Sequence, residues 1–76
     1  MRVDPTDWQG VALTKLTRIM GDAAGHELAS SVLKELALER LGSADDLRRF
    51  AGVLSRQGGI AAAVGALLGL HATMYE

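Results

Sequence analysis

Gln57 to Tyr75 reads QGGIAAAVGALLGLHATMY and contains no Asp, Glu, Lys or Arg. Every charged residue of the chain except Glu76 precedes this stretch. Ala and Leu are strong helix formers, so the stretch predicts a helix over roughly residues 60–74. A helix that is apolar on every side is normally buried in a protein core or a membrane. This run is too short and too rich in glycine to cross a bilayer, which needs roughly 20 apolar residues.

Two faces can be distinguished on the predicted C-terminal helix. The first is broad and apolar and consists of Ile60, Val64, Leu67, Leu68 and Met74. The second is smooth, because Ala61, Gly65 and Gly69 recur at every fourth residue and would let another backbone approach closely. Two glycines inside a helix cost roughly 2 kcal/mol relative to alanine, so packing must offset that loss.

Three interpretations of these glycines stay open at the level of sequence. They could serve a tight helix crossing inside a monomer core, or they could form a surface for self-association or for a partner helix. In the third interpretation, Gly69 lies in a turn rather than in a helix.

The size and composition of the chain also indicate association. Its 76 residues predict one small domain over residues 1–76, with no cysteine for disulfides or thiolate metal sites. A domain of this size buries only about 60% of the surface of its unfolded chain and is marginally stable alone. The usual remaining support is oligomerisation or very regular helix packing.

Charge and the N-terminal sequence limit the environment and the partners. The formal net charge of −1 provides no field that would attract nucleic acid or anionic membranes. Residues 1–8 contain no apolar segment of the secretory type. We therefore expect a cytoplasmic protein without a membrane partner.

The first half of the chain predicts two helices, over roughly residues 5–20 and 22–41. Asp4 can cap the first helix, and Pro5 suits its first position. Gly21 is expected to end that helix and Asp22 to cap the next, which should end at Gly42.

The second half predicts a third helix over roughly residues 44–57 and the fourth over 60–74. Ser43-Ala44-Asp45-Asp46 resembles a capping box, with Asp in place of the usual Glu. Gln57-Gly58-Gly59 should separate the two helices. The expected fold class is therefore an all-α bundle of about four helices joined by short turns rich in Gly, Asp and Ser.

No group of residues in the sequence predicts catalysis. His26 and His71 are too few and too far apart for a metal site, which needs three or four ligands. Asp45 and Asp46 are explained by their position at a helix start. We therefore expect a non-enzymatic protein with no cofactor and no metal.

Two further features could contact a partner. Arg48, Arg49 and Arg56 could bind an acidic partner or phosphates, although their default role is to decorate an exposed helix face and balance Asp45 and Asp46. Trp8 is a candidate anchor, because Trp is enriched at interface hot spots, while core packing is its default role.

The segment from residue 47 to 76 resembles the helix-turn-helix of the Fis type, found in many bacterial enhancer-binding activators. The matching residues are Phe50-Ala51, Val53-Leu54, Gly58-Gly59, Val64-Gly65, Leu68-Gly69-Leu70 and Tyr75. The resemblance implies a turn at Leu68-Gly69-Leu70 and a recognition helix that begins near His71. It implies DNA binding and transcription regulation as the alternative function.

The sequence departs from the Fis pattern at the positions that would contact DNA. Ile60 stands where the family has a polar residue, and Ala61, Ala62 and Ala63 stand where it has basic ones. Residues 71–76 contain no Lys or Arg, which phosphate contacts require. Nucleic acid is therefore the less favoured partner.

The sequence favours a non-catalytic protein-interaction module that forms a homo-oligomer, most simply a homodimer. Its partner surface is predicted on the C-terminal helix, where the Gly/Ala face packs against a symmetry mate or a partner helix, so that the module would act as an adaptor. The predicted interface residues are Ile60, Ala61, Val64, Gly65, Leu67, Leu68, Gly69 and Trp8. On this hypothesis, Gly65→Leu would disrupt association by holding two backbones apart.

Overall fold

A computed structural model describes residue 4 and residues 6–75 of the chain. These residues form four helices and no strand: α1 (Trp8–Met20), α2 (Asp22–Glu35), α3 (Ala44–Gln57) and α4 (Gly59–Tyr75). The predicted all-α fold of four helices is confirmed.

α1 begins at Trp8, later than predicted, because Asp7 rather than Asp4 is its cap. The Asp7 carboxylate accepts a hydrogen bond from the Gly10 amide, with Oδ1 and N 3.1 Å apart. Asp4 instead accepts hydrogen bonds from the amide and hydroxyl of Thr6, and these bonds hold the pKa of Asp4 below its ordinary value. Pro5, predicted at the first helical position, lies outside the described residues.

α2 ends at Glu35, so the prediction that it continues to Leu41 is wrong. The Ala37 amide donates to the Lys34 carbonyl at 3.1 Å, and the Leu38 amide donates to the Leu33 carbonyl at 2.9 Å. These two hydrogen bonds form a Schellman motif, whose left-handed position is usually glycine. Here that position is Ala37, with φ of 57°, which the sequence does not signal.

The glycine and the aspartate expected to bound α2 have other roles. Gly21 ends α1 as predicted and is also the residue that precedes α2, so Asp22 is the first helical residue rather than the cap. Gly42 does not end α2. Its amide donates instead to the Asp46 carboxylate at 2.9 Å, at the start of α3.

The segment between α2 and α3 is irregular but covers the core. Leu41 is 2% exposed, and Leu36 and Leu38 are half-buried. The Leu41 amide donates to Oε1 of Gln9 at 2.9 Å, which ties this segment to α1. Leu36, Leu38 and Leu41, which fall in the range predicted for α2, therefore cover the core without being helical.

α3 has the predicted bounds, and its cap is formed by the predicted residue. Ser43 Oγ accepts from the Asp46 amide at 3.1 Å. Gly58 separates α3 from α4, and Gly59 is the first residue of α4. Both have positive φ, of 75° and 59°, a conformation that residues other than glycine rarely adopt.

α4 packs closely against α3 at Gly65. A Cβ atom on Gly65 would lie 2.7 Å from the Ala51 carbonyl oxygen and 2.8 Å from Ser55 Oγ. A Cβ atom on Gly69 would make only an ordinary van der Waals contact, since its nearest neighbour would be the Ala51 Cβ at 3.9 Å. The close backbone approach predicted for this face therefore occurs at Gly65, and it occurs within one chain.

A second close approach joins α1 and α2 at Gly25. A Cβ atom there would lie 2.9 Å from the Thr17 Cα atom. The helices thus form two tightly packed pairs, α1 with α2 and α3 with α4. The core between the pairs is apolar, and its largest fully buried side chains are Phe50, Leu16, Leu41, Leu47, Leu54, Leu68, Val32 and Val64.

We expect Gly65→Ala to lower the free energy of unfolding by about 1–3 kcal/mol, because the new methyl group meets the α3 backbone. Gly52→Ala is the matched control, since Gly52 lies exposed on α3 with no atom near its Cβ position. It should raise the free energy of unfolding by about 0.5–1 kcal/mol. Urea denaturation measures both, and equal effects of the two substitutions would contradict the close crossing.

We expect Ala37→Gly to raise the free energy of unfolding by about 1 kcal/mol, because glycine adopts the left-handed conformation without strain. Ala24→Gly, on the exposed side of α2, is the control and should be destabilising, because Ala24 is helical. Thermal unfolding followed by circular dichroism measures both changes. Destabilisation by Ala37→Gly would contradict the left-handed conformation of Ala37.

Candidate interaction surface

α4 is apolar on both sides, and only one side is covered by the chain itself. Its inner side is formed by buried residues, namely Ala61, Val64, Gly65, Leu68 and Ala72. Its outer side carries Ile60, Leu67, Leu70 and Met74, which are 59%, 45%, 59% and 64% exposed. We call these four residues, together with the exposed Ala63, the outer stripe of α4.

The outer stripe has the spacing of a helix-pairing seam. Its members follow one another at intervals of three, four, three and four residues, from Ile60 to Met74. This alternation keeps all five on one side of an α-helix and is the a/d pattern by which two helices pack together. The stripe therefore has the geometry of a surface that meets another helix.

The outer stripe is also large for an exposed apolar surface. With Tyr75, which is 44% exposed, it presents on the order of 500 Å² of mainly apolar area. Patches of this size on a small protein commonly mark interaction sites. The helix carries no Asp, Glu, Lys or Arg that would interrupt the patch.

A shallow groove runs along the outer stripe, between the C-terminal half of α4 and α1. Its volume is about 220 Å³. The lining residues are Lys15, Leu67, Leu70, His71, Met74 and Tyr75. Three of these six residues are apolar, Tyr75 and His71 contribute aromatic rings, and Lys15 contributes one amine, so the groove suits an apolar side chain from another molecule.

Aromatic contacts support the groove at the end of α4. The His71 and Tyr75 rings lie 4.6 Å apart, and the Trp8 ring meets His71 edge-on at 6.2 Å, measured between ring centroids. Trp8 is half-buried, so it joins α1 to α4 instead of standing exposed as an interface anchor.

The structure divides the predicted interface residues between core and surface. Ala61, Val64, Gly65 and Leu68 lie in the core of the chain, where they cannot also form an exposed partner surface. The assignment of the Gly/Ala face to a symmetry mate is therefore corrected, since Gly65 contacts α3 of the same chain.

Three more predicted interface residues lie nearer the surface. Ile60 and Leu67 are exposed and belong to the outer stripe. Gly69 is half-buried, between the inner side of α4 and solvent.

Sequence reasoning missed several residues of this surface. Ala63, Leu70, Met74, Tyr75 and Lys15 were not among the predicted interface positions. The alternating three- and four-residue spacing from residue 60 to 74 could have identified the stripe. No sequence signal places Lys15 beside it, because that contact depends on how α1 packs on α4.

The arginines of α3 lie among acidic residues of the same chain. Arg49 pairs with Asp45 at 3.1 Å, and Arg56 approaches Glu35 at 3.6 Å, all with exposed side chains. Exposed pairs of this kind contribute little to stability, at most about 1 kcal/mol. Arg48 is half-buried.

The turn implied by the Fis resemblance is absent from the structure. α4 is helical from Gly59 to Tyr75, so Leu68-Gly69-Leu70 lies inside one continuous helix. The prediction of a turn there is wrong, because Gly69 fits a helix beside Ala51 without a clash.

Within residue 4 and residues 6–75, no group of three or more His, Cys, Asp or Glu residues could hold a metal ion. None of the helices in this part of the chain is long and apolar enough to cross a membrane. Comparisons with protein-family models, curated proteins and solved structures gave no match.

Proposed function

We propose that this protein is a non-catalytic interaction module that self-associates through the outer stripe of α4. The observation that carries the proposal is a helix-pairing seam of large, exposed apolar side chains on a helix whose opposite side is already buried. The proposal assigns no cofactor and no reaction to the chain.

The area of the stripe is compatible with self-association. Covering it on two copies would bury up to about 1,000 Å² in all, at the low end for specific interfaces between proteins. Association costs about 4–15 kcal/mol of lost translational and rotational freedom, together with side-chain ordering. Apolar burial is the term that opposes this cost.

The charge pattern favours a second copy of this chain as the partner. Burying an unpaired charge is strongly unfavourable, so the core of an interface is depleted of charged residues. The outer stripe brings no charge from α4, and the same stripe on a second copy brings none either. Lys15 is one of the residues that line the groove, and a lysine can cover apolar surface with its methylene groups while its amine reaches solvent.

We expect Leu70→Gln to weaken self-association by at least about tenfold, because it removes an apolar side chain from the centre of the stripe and buries an amide in its place. Light scattering across a dilution series measures the molar mass. Ala66→Gln is the matched control, since Ala66 is exposed on the same helix but outside the stripe.

Circular dichroism should show that both glutamine variants remain helical. A Leu70→Gln protein that keeps the molar mass of the parent at every dilution would contradict the assignment of the stripe. A parent protein that is monomeric at every concentration would overturn the proposed function itself.

We also expect self-association to be retained, or slightly strengthened, when the salt concentration is raised from about 0.05 to 0.5 M, because apolar burial is not screened by ions. Sedimentation velocity at fixed protein concentration measures the response. An affinity that falls steeply with salt would indicate an interface held by charges, such as those on the arginines of α3.

A further inference from the structure

We infer that a second copy of the chain covers the outer stripe with its own outer stripe. The two α4 helices lie antiparallel, and assembly stops at a dimer. This inference rests on the proposed function and specifies the partner segment, its direction and the stoichiometry. Three observations carry it: the ends of α4, whose own turns carry no compensating charged side chain, the one small residue within the stripe, and the groove beside its C-terminal half.

The ends of α4 favour an antiparallel neighbour. A helix carries partial positive charge at its N-terminus and partial negative charge at its C-terminus. In α4 no acidic residue occupies the first turn and no basic residue occupies the last, so the side chains of α4 itself compensate neither end. An antiparallel copy places the N-terminus of each α4 beside the C-terminus of the other.

The sizes of the side chains in the outer stripe also favour an antiparallel pair. Ala63 is the one small member of the stripe, among Ile60, Leu67, Leu70 and Met74. In a parallel pair Ala63 would face the partner's Ala63 and leave a gap, because bulky pairs on both sides hold the helices apart. In an antiparallel pair Ala63 faces a long side chain, and the seam keeps an even width.

The groove selects the register of the antiparallel pair. It lies beside Leu67, Leu70 and Met74, so the C-terminal half of the stripe must lie at the centre of the contact for the groove to be filled. Leu67 then faces the partner's Leu70, and Ala63 faces the partner's Met74. Each copy inserts leucines toward the groove of the other, while Ile60 lies at the periphery.

The symmetry of this arrangement determines where assembly stops. A contact in which both copies use the same surface has a twofold axis and is complete with two copies. A contact between the stripe and a different surface would leave a stripe open at one end and would continue to larger oligomers. The inferred product is therefore a closed dimer.

Disulfide trapping tests the direction, because the parent chain has no cysteine. Ala63→Cys and Met74→Cys are made as separate proteins, and each keeps an apolar side chain in the stripe. They are oxidised alone and as an equimolar mixture after unfolding and refolding together. Mass spectrometry identifies each covalent dimer, and Ala24→Cys, exposed on α2, measures random collision.

We expect the mixed 63–74 disulfide to exceed each like-with-like disulfide by about tenfold, because a disulfide needs Cα atoms within about 7 Å. Like-with-like products in excess of the mixed product would show a parallel pair and overturn the inference while leaving self-association intact. If the protein is dimeric but the cysteines at positions 63 and 74 form disulfides in no higher yield than Ala24→Cys, the outer stripe is not the contact surface. Oligomers of more than two copies would contradict the inferred closed dimer.

A label at the periphery of the stripe provides a second measurement if either cysteine variant no longer associates. Spin labels on Ile60→Cys, near the start of α4, should lie about 25 Å apart along the helix axis in the antiparallel dimer. In a parallel dimer they would lie side by side, roughly one helix diameter apart. A short separation would overturn the inference, whereas a monomer under both measurements would overturn the proposed function.

Discussion

The structure depends on the close approach of α4 to α3 at Gly65. The Ala51 carbonyl oxygen occupies the space that a Cβ on residue 65 would need, at 2.7 Å. This contact fixes the rotation of α4 about its own axis, because only the side that carries Gly65 can meet α3 at this distance. Once that side is turned inward, helical periodicity directs Ile60, Leu67, Leu70 and Met74 outward. The exposed stripe is thus a geometric consequence of an internal packing contact.

Local residue chemistry was sufficient to predict the elements in the second half of the chain. Ser43 and the glycine pair Gly58-Gly59 act through their own side chain or backbone, so α3 and α4 could be bounded from sequence. The end of α2 could not, because Ala37 adopts a left-handed conformation that alanine does not favour. Tertiary contacts hold it there, since Leu41 is buried and bonded to Gln9 on α1. Such contacts between distant residues are not visible as a local pattern.

The sequence predicts which helix carries the candidate surface but not which side of that helix is exposed. An uncharged helix indicates burial on both sides, and the sequence identifies residues 57–75 as that helix. It does not say which side is covered by the chain itself, because both sides are apolar. The choice depends on the fit of Gly65 to Ala51 and Ser55, which involves residues of another helix. Ala61 and Gly65, predicted at the interface because they are small, therefore lie in the core, while Ile60 and Leu67 of the same helix are exposed.

The two sides of α4 are also coupled through its backbone. A binding surface is most precise when it stands on a rigid element, and α4 is supported along its inner side by the buried residues Val64, Leu68 and Ala72. Trp8 on α1 meets His71 near the end of this helix, so the outer stripe is held in a defined position relative to Lys15 on α1, which lines the same groove. A change of volume on the inner side would move α4 relative to α1 and alter the groove without touching an exposed residue. Association and folding are therefore expected to respond together to substitutions on the inner side of α4, and separately to substitutions on the outer stripe.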